Sequence, residues 1–175
     1  MKLLVETEHI RCAPHMGRVK CGGNYASALQ TVVRAREQYG ANQVLFCPNG
    51  DVQETGASNF ALINGNEIIT KPLTEEFLHG VTRDSVLRVA ADLGYKVNER
   101  NFTVAELQAA AENGAEAILT GTAAVVSPVT SLVINGKEVV LQSQERGTAI
   151  RKAITDIQYG LAEDRYGWLV PVPER

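Results

Sequence analysis

Three observations in the sequence predict a mixed α/β fold in which sheets are covered by helices. Apolar runs flank the pairs Asn49-Gly50, Asn64-Gly65 and Asn135-Gly136, and Asn-Gly between apolar runs is the strongest short-range signal for a β-hairpin. Four other stretches repeat their apolar residues at helical spacing. The stretch 117–134 carries no charge, but three Thr, two Ser, Gly121 and Pro128 break it. It therefore reads as two buried strands joined by a loop, not as a lipid-exposed helix.

In chain order, residues 3–8 read as a strand. A helix is expected over 27–39, burying Leu29, Val32 and Val33. The first hairpin joins 44–47 to a segment at Val52, and the second joins 60–63 to 67–70. Residues 82–93 place Val86, Val89, Ala90 and Leu93 on one stripe, and Gly94 follows as a stop. Thr103 and Glu106 have the spacing of a capping box, opening a helix that buries Val104, Leu107 and Ala111. The third hairpin joins 131–134 to 137–141. Ile150, Ile154, Ile157 and Leu161 form the last stripe.

Composition narrows the function classes. The chain has 175 residues, 45% hydrophobic and 21% charged, with a net charge of −3. That is the balance of a globular protein able to bury a core, with no basic footprint for nucleic acid. Cys12, Cys21 and Cys47 form no CxxC and no zinc-spaced cluster with His, which predicts reduced thiols in a cytoplasmic protein and no metal site.

Four short motifs carry chemistry. In Val19-Lys20-Cys21-Gly22-Gly23-Asn24-Tyr25, a lysine sits between apolar neighbours, and two glycines allow a ligand to approach the backbone closely. A lysine whose ammonium is partly desolvated suits covalent capture of a carbonyl, and Tyr25 offers a phenol nearby. In Glu54-Thr55-Gly56-Ala57-Ser58-Asn59, a carboxylate follows a turn, where it can stabilise a protonated ring nitrogen. Leu78-His79-Gly80-Val81-Thr82-Arg83 opens a helix, a favourable place for a phosphate. Thr120-Gly121-Thr122-Ala123 ends a strand with hydroxyls and free backbone donors.

In this order the motifs resemble those of the class IV aminotransferases, which use pyridoxal 5′-phosphate. That family links a Glu, an Asn five residues later, an aliphatic-x-Thr and a Gly-aliphatic-x-Arg by short gaps. Here these are Glu54, Asn59, Ile68-Ile69-Thr70 and Gly80-Val81-Thr82-Arg83. The Lys20-to-Tyr25 string, Thr120 to Ala123, and Tyr159-Gly160 and Trp168 are similar to the branched-chain aminotransferases within it. Position 61 is Ala where an aromatic is usual, and His79 stands where Pro is common.

The resemblance implies a fold-type IV large domain spanning 1–175, a pseudo-barrel of mixed and antiparallel sheet covered by helices. It implies that the family's smaller N-terminal domain, which brings an arginine to the phosphate and aromatics to the substrate, is absent. The implied reaction is transamination of leucine, isoleucine or valine with 2-oxoglutarate, giving branched 2-oxo acids and glutamate. Lys20 is then the catalytic, cofactor-holding lysine. Tyr25, Glu54, Val81, Thr82 and Thr122 bind the cofactor, and Ala57, Thr122 and Ala123 meet the substrate. A homodimer or larger homo-oligomer is expected, with no nucleic-acid or membrane partner. Two alternatives stand beside this reading. One is a domain that folds and binds the cofactor without turnover. The other is a different class IV enzyme, a D-amino acid aminotransferase or an aminodeoxychorismate lyase, against which the Gly22-Gly23-Asn24-Tyr25 string argues.

Overall fold

A computed structural model describes residues 1–173. Nine strands form two mixed sheets. The first holds β1 (Lys2–Glu6), β2 (Gln43–Phe46), β8 (Ser131–Ile134) and β9 (Lys137–Val140), in the order β2-β1-β8-β9. The second holds β3 (Asn59–Asn64), β4 (Glu67–Thr70), β5 (Lys96–Glu99), β6 (Glu116–Gly121) and β7 (Val125–Pro128), in the order β5-β4-β3-β6-β7. The helices are α1 (Gly22–Tyr39), α2 (Val81–Asp92), α3 (Val104–Glu112) and α4 (Glu145–Gln158). The mixed α/β class is the one expected.

Period-two side-chain alternation sorts the strands into layers. Leu3 and Val5 of β1, Phe60 and Leu62 of β3, Leu119 of β6 and Leu132 of β8 point into one shared core with Leu107 and Ala111 of α3. The opposite faces turn outward to helices. Ala61, Ile63 and Ile118 meet α2 and α4 through Val86, Val89, Ile150, Ile154 and Ile157. Leu4, Val44 and Val133 meet α1 through Ala28 and Ala35. The Thr103–Glu106 capping box forms as its spacing required.

Several expectations need correction. Helix α1 begins at Gly22, five residues before the expected start, because tertiary bonds hold its first turn. The Asn24 amide donates to the Met16 and Val19 carbonyls, both at 2.8 Å, and the Ser27 hydroxyl donates to Arg11 O at 2.7 Å. This helix seats small residues on the sheet, so Val32 is partly buried while Leu29 and Val33 are exposed. Leu93 and Leu161 are exposed as well, since each lies beyond the last residue of its helix. Residues 117–134 make parts of three strands, with β7 between the two expected ones.

The turns differ in register. Asn135-Gly136 is the two-residue loop expected, with positive φ at both positions, as a type I′ turn requires. In the second hairpin Asn64 pairs with Glu67, so the loop is Gly65-Asn66, one residue later than the Asn-Gly pair suggests. Asn49-Gly50 lies in a 3₁₀ turn. Beyond it the chain returns to β2 through single bonds, Gln53 N to Phe46 O at 3.1 Å and Phe46 N to Glu54 O at 3.0 Å. That return delivers Glu54 to the site.

Candidate active site

The four motifs, separated in sequence by up to a hundred residues, line one cavity of about 550 Å³. Lys20 comes from the loop just before α1 and Tyr25 from its first turn, and Glu54 and Ala57 from the segment between β2 and β3. Val81 and Thr82 come from the start of α2, and Thr122 and Ala123 from the β6–β7 loop. All eight expected site residues line this cavity.

Glu54 is the most constrained of them, with 3% of its surface exposed. Its Oε2 accepts from the Asn59 amide at 2.8 Å and its Oε1 from the Leu78 backbone N–H at 3.1 Å. Arg11 Nε stands 2.7 Å from Oε1. That N–H does not point along the contact, and the atom makes no hydrogen bond, so the attraction is charge to charge. Burial pushes the Glu54 carboxyl up to about 7, against the opposing pull of Arg11, Leu78, Asn59 and Lys20. Desolvation of the charged form therefore outweighs one arginine and two hydrogen bonds. The carboxylate remains short of positive charge.

Asn59 explains two of the motif's fixed spacings. Residues 54 and 59 face each other in an isolated antiparallel bridge, which sets the five-residue gap. The Asn59 amide also donates to the Leu78 carbonyl at 2.8 Å, and a Cβ at Gly80 would sit 2.1 Å from its Oδ1. Glycine at position 80 thus lets the start of α2 lie against Asn59. We expect Gly80→Ala to displace the amide and destabilise the chain by about 2 kcal/mol. In an Asn59→Ala background the same change should cost under about 0.5 kcal/mol, because the clash is gone. Equal costs in the two backgrounds, measured by denaturant unfolding, would show that Asn59 is not what excludes a side chain there.

Gly80 N-caps α2 without a side-chain hydrogen bond, leaving first-turn N–H groups free for an anion. Val81 is exposed and Thr82 half-buried. On the facing wall, Gly121 pairs with Val125 across a three-residue loop, and Val125 holds φ at 57°. A left-handed β-branched residue is a genuine outlier, and such strain collects at ligand-shaping loops.

Lys20 departs from its expected environment. It and Tyr25 are exposed, and the Lys20 Nζ lies 5.9 Å from the Tyr25 ring centroid. Desolvation of the ammonium is not supplied by these residues alone, because the cavity is open on their side. Arg11 is the site residue that sequence reasoning left without a role, although it stands in the segment leading to Lys20. Its burial and its contact to Glu54 are long-range facts with no local signature. His79, half-buried and also lining the cavity, is held through Nε2 against Thr74 O at 2.7 Å.

A mixed α/β fold with a lysine, a buried carboxylate and an open helix start around one cavity agrees with comparison to known proteins. Residues 13–132 match the family model of the class IV amino-transferases, and the chain belongs to that family. It is 37% identical over 182 residues to the probable branched-chain-amino-acid aminotransferase of Staphylococcus epidermidis, covering 99% of this chain and 51% of that protein. It is 37% identical to branched-chain-amino-acid aminotransferase 2 of Bacillus subtilis, covering 98% and 50%. Among solved structures, the branched-chain amino acid aminotransferase from Escherichia coli superposes with a TM-score of 0.81 at 29% identity, over 95% of this chain and 55% of that one. The enzyme from Thermobaculum terrenum, in its PLP form, gives 0.82 at 25% identity, over 98% and 55%. The chain spans about half the length of the curated relatives it matches. Among the described residues no helix is long and apolar enough to cross a membrane.

Proposed function

We propose that this chain carries the pyridoxal 5′-phosphate site of a branched-chain amino acid aminotransferase and serves transamination of leucine, isoleucine and valine with 2-oxoglutarate. The observation that carries this reading is Glu54, a buried carboxylate short of positive charge in the same cavity as Lys20. A protonated pyridine nitrogen is the cation such a carboxylate lacks, so the residues present fit the group. When bound, pyridoxal phosphate supplies a ring that accepts the electrons left as the substrate loses its Cα proton.

The chain's own residues do the rest. Lys20 would hold the cofactor through its ε-amino group and, when free, would take the proton from the substrate Cα as general base and deliver it to the cofactor carbon as general acid. Glu54 keeps the ring nitrogen protonated. Tyr25 donates its phenol to the ring oxygen. The backbone N–H groups of Val81 and Thr82, with the Thr122 hydroxyl, bind the phosphate, and Ala57, Thr122 and Ala123 lie along the substrate carboxylate. The exposure of Lys20 and Thr122 calls for a further surface to exclude water during proton transfer. The exposed Leu29 and Val33 favour a homo-oligomer, as unpartnered apolar groups do.

The test is chemical. After incubation of the chain with pyridoxal phosphate and reduction with borohydride, peptide mass mapping is expected to put the added mass on Lys20. Lys71 is buried and paired with Asp51, and Lys96 lies 3.4 Å from Glu67. Mass on either of these, and not on Lys20, would overturn the assignment. Addition of leucine before borohydride should reduce the labelling.

A further inference from the structure

Arg11 is one of the few fully enclosed charges in the molecule, with 6% of its surface exposed. Its backbone is tied to α1, because Arg11 O accepts from the Ser27 hydroxyl at 2.7 Å. Its guanidinium reaches two separate parts of the cavity wall. One terminal nitrogen donates to Gly17 O at 3.1 Å, inside the loop that leads to Lys20. The Nε sits against Glu54 Oε1 at 2.7 Å and has no hydrogen-bond partner of its own. A buried guanidinium is tolerated only beside a counter-charge, and Glu54 is the carboxylate in contact with it.

We propose that Arg11 is a positioning residue that opposes protonation of the Glu54 carboxylate and ties it to the Lys20 loop. One side chain thereby fixes the charge on one wall of the cavity and the placement of the lysine on another. The inference rests on the function proposed above for its meaning, but its physical content belongs to the chain alone.

The groups that bear on Glu54 are few. Arg11 and Lys20 supply positive charge, while Asn59 and the Leu78 N–H supply neutral donors. The Cys12 thiol is the remaining titratable neighbour, and burial raises it, which keeps it neutral. Lys20 is exposed and its charge is screened by water. Arg11 is therefore the principal charge opposing desolvation of the carboxylate. Without it, Glu54 binds its proton more tightly and a larger share is neutral at neutral pH, and a neutral carboxyl cannot stabilise a ring cation. Lysine at position 11 would keep the charge but not the fork that spans Gly17 O and Glu54.

The test follows the Glu54 carboxyl directly in the cofactor-free chain by ¹³C NMR with labelled glutamate, its signal assigned by its loss in Glu54→Gln. The wild-type signal is expected to titrate near the value of about 7 that its burial sets. Arg11→Gln should move the midpoint up by about 1–3 pH units, the usual effect of losing an adjacent opposite charge. Arg11→Lys should bring it back toward wild type, while leaving Lys20 more reactive to an acylating reagent because its loop is no longer held. An unchanged midpoint in Arg11→Gln overturns the proposal. Should Arg11→Gln fail to fold, Arg11→Lys decides it: a wild-type Lys20 acylation rate removes the loop tie, and so refutes the proposal as stated. Failure of borohydride to label Lys20 in the wild-type chain would count against the proposed function and leave the Arg11 titration result standing.

Discussion

Glu54→Gln is expected to make the cofactor-free chain gain stability on wild type as pH rises. The sign follows from the raised carboxyl. In the unfolded chain Glu54 titrates near 4.5, and in the folded chain near about 7. Between these values the folded state holds a proton that the unfolded state has lost. Wild-type stability therefore falls as pH climbs through this window and is flat above it. Each pKa unit corresponds to about 1.4 kcal/mol, so the difference between variant and wild type should grow by about 3 kcal/mol from pH 4.5 to above 7. Glutamine also removes the counter-charge that Arg11 gains as Glu54 ionises, and that interaction is already contained in the folded-state value of about 7. The diagnostic is the slope of the difference, read from denaturant unfolding at pH 5, 6, 7 and 8. Parallel curves for the two proteins would mean that burial does not raise this carboxyl.

Gly17→Ala should undock the Lys20 loop. A Cβ at this position would lie 2.0 Å from the Glu76 carbonyl carbon, 2.2 Å from its oxygen and 2.3 Å from the Phe77 nitrogen. These are backbone atoms and cannot rotate aside. Gly17 has an ordinary helical φ of −59°, so the demand is for space and not for a special conformation. Overpacking against backbone belongs at the upper end of its usual range, about 3 kcal/mol, or a melting point lower by roughly 6–12 °C in a chain of this size. The Arg11 bond to Gly17 O stretches with it. Faster amide exchange at Val19 and Cys21, whose N–H groups bond within this loop, should accompany the loss. An alanine variant with wild-type melting and exchange would refute the close approach.

Local signals carried much of the fold. Asn135-Gly136 gave its turn because both residues tolerate positive φ, and Thr103 with Glu106 gave a cap because both partners lie within one helical turn. The misses share a cause. Leu29 and Val33 look like core residues by type, yet α1 lies on Leu4, Val44 and Val133 through Ala28 and Ala35, with Val32 partly buried beside them. The early start of α1 at two glycines contradicts propensity and depends on Asn24 and Ser27 reaching back to residues 11–19. In the site, all eight motif residues line one cavity, since short gaps constrain which strand ends and helix starts can meet. Burial was harder to read: Lys20 is open to water and Arg11 is enclosed, and neither follows from their immediate neighbours.

Strand β1 lies inside its sheet, between β2 and β8, with Lys2 paired to Ser131 and Leu4 to Val133. The second residue of the chain therefore finds a neighbour some 130 positions later, and the Met1 carbonyl accepts from Thr130 N at 2.8 Å. Contacts of such sequence separation are the slow ones, because chain closure comes before any reward. As the polypeptide leaves the ribosome, β1 and the lysine-bearing segment after it emerge before β8 and wait. The sheet cannot close until residues 131–134 have followed, so β1 and β8 must be brought together across the intervening chain before the cavity has its walls.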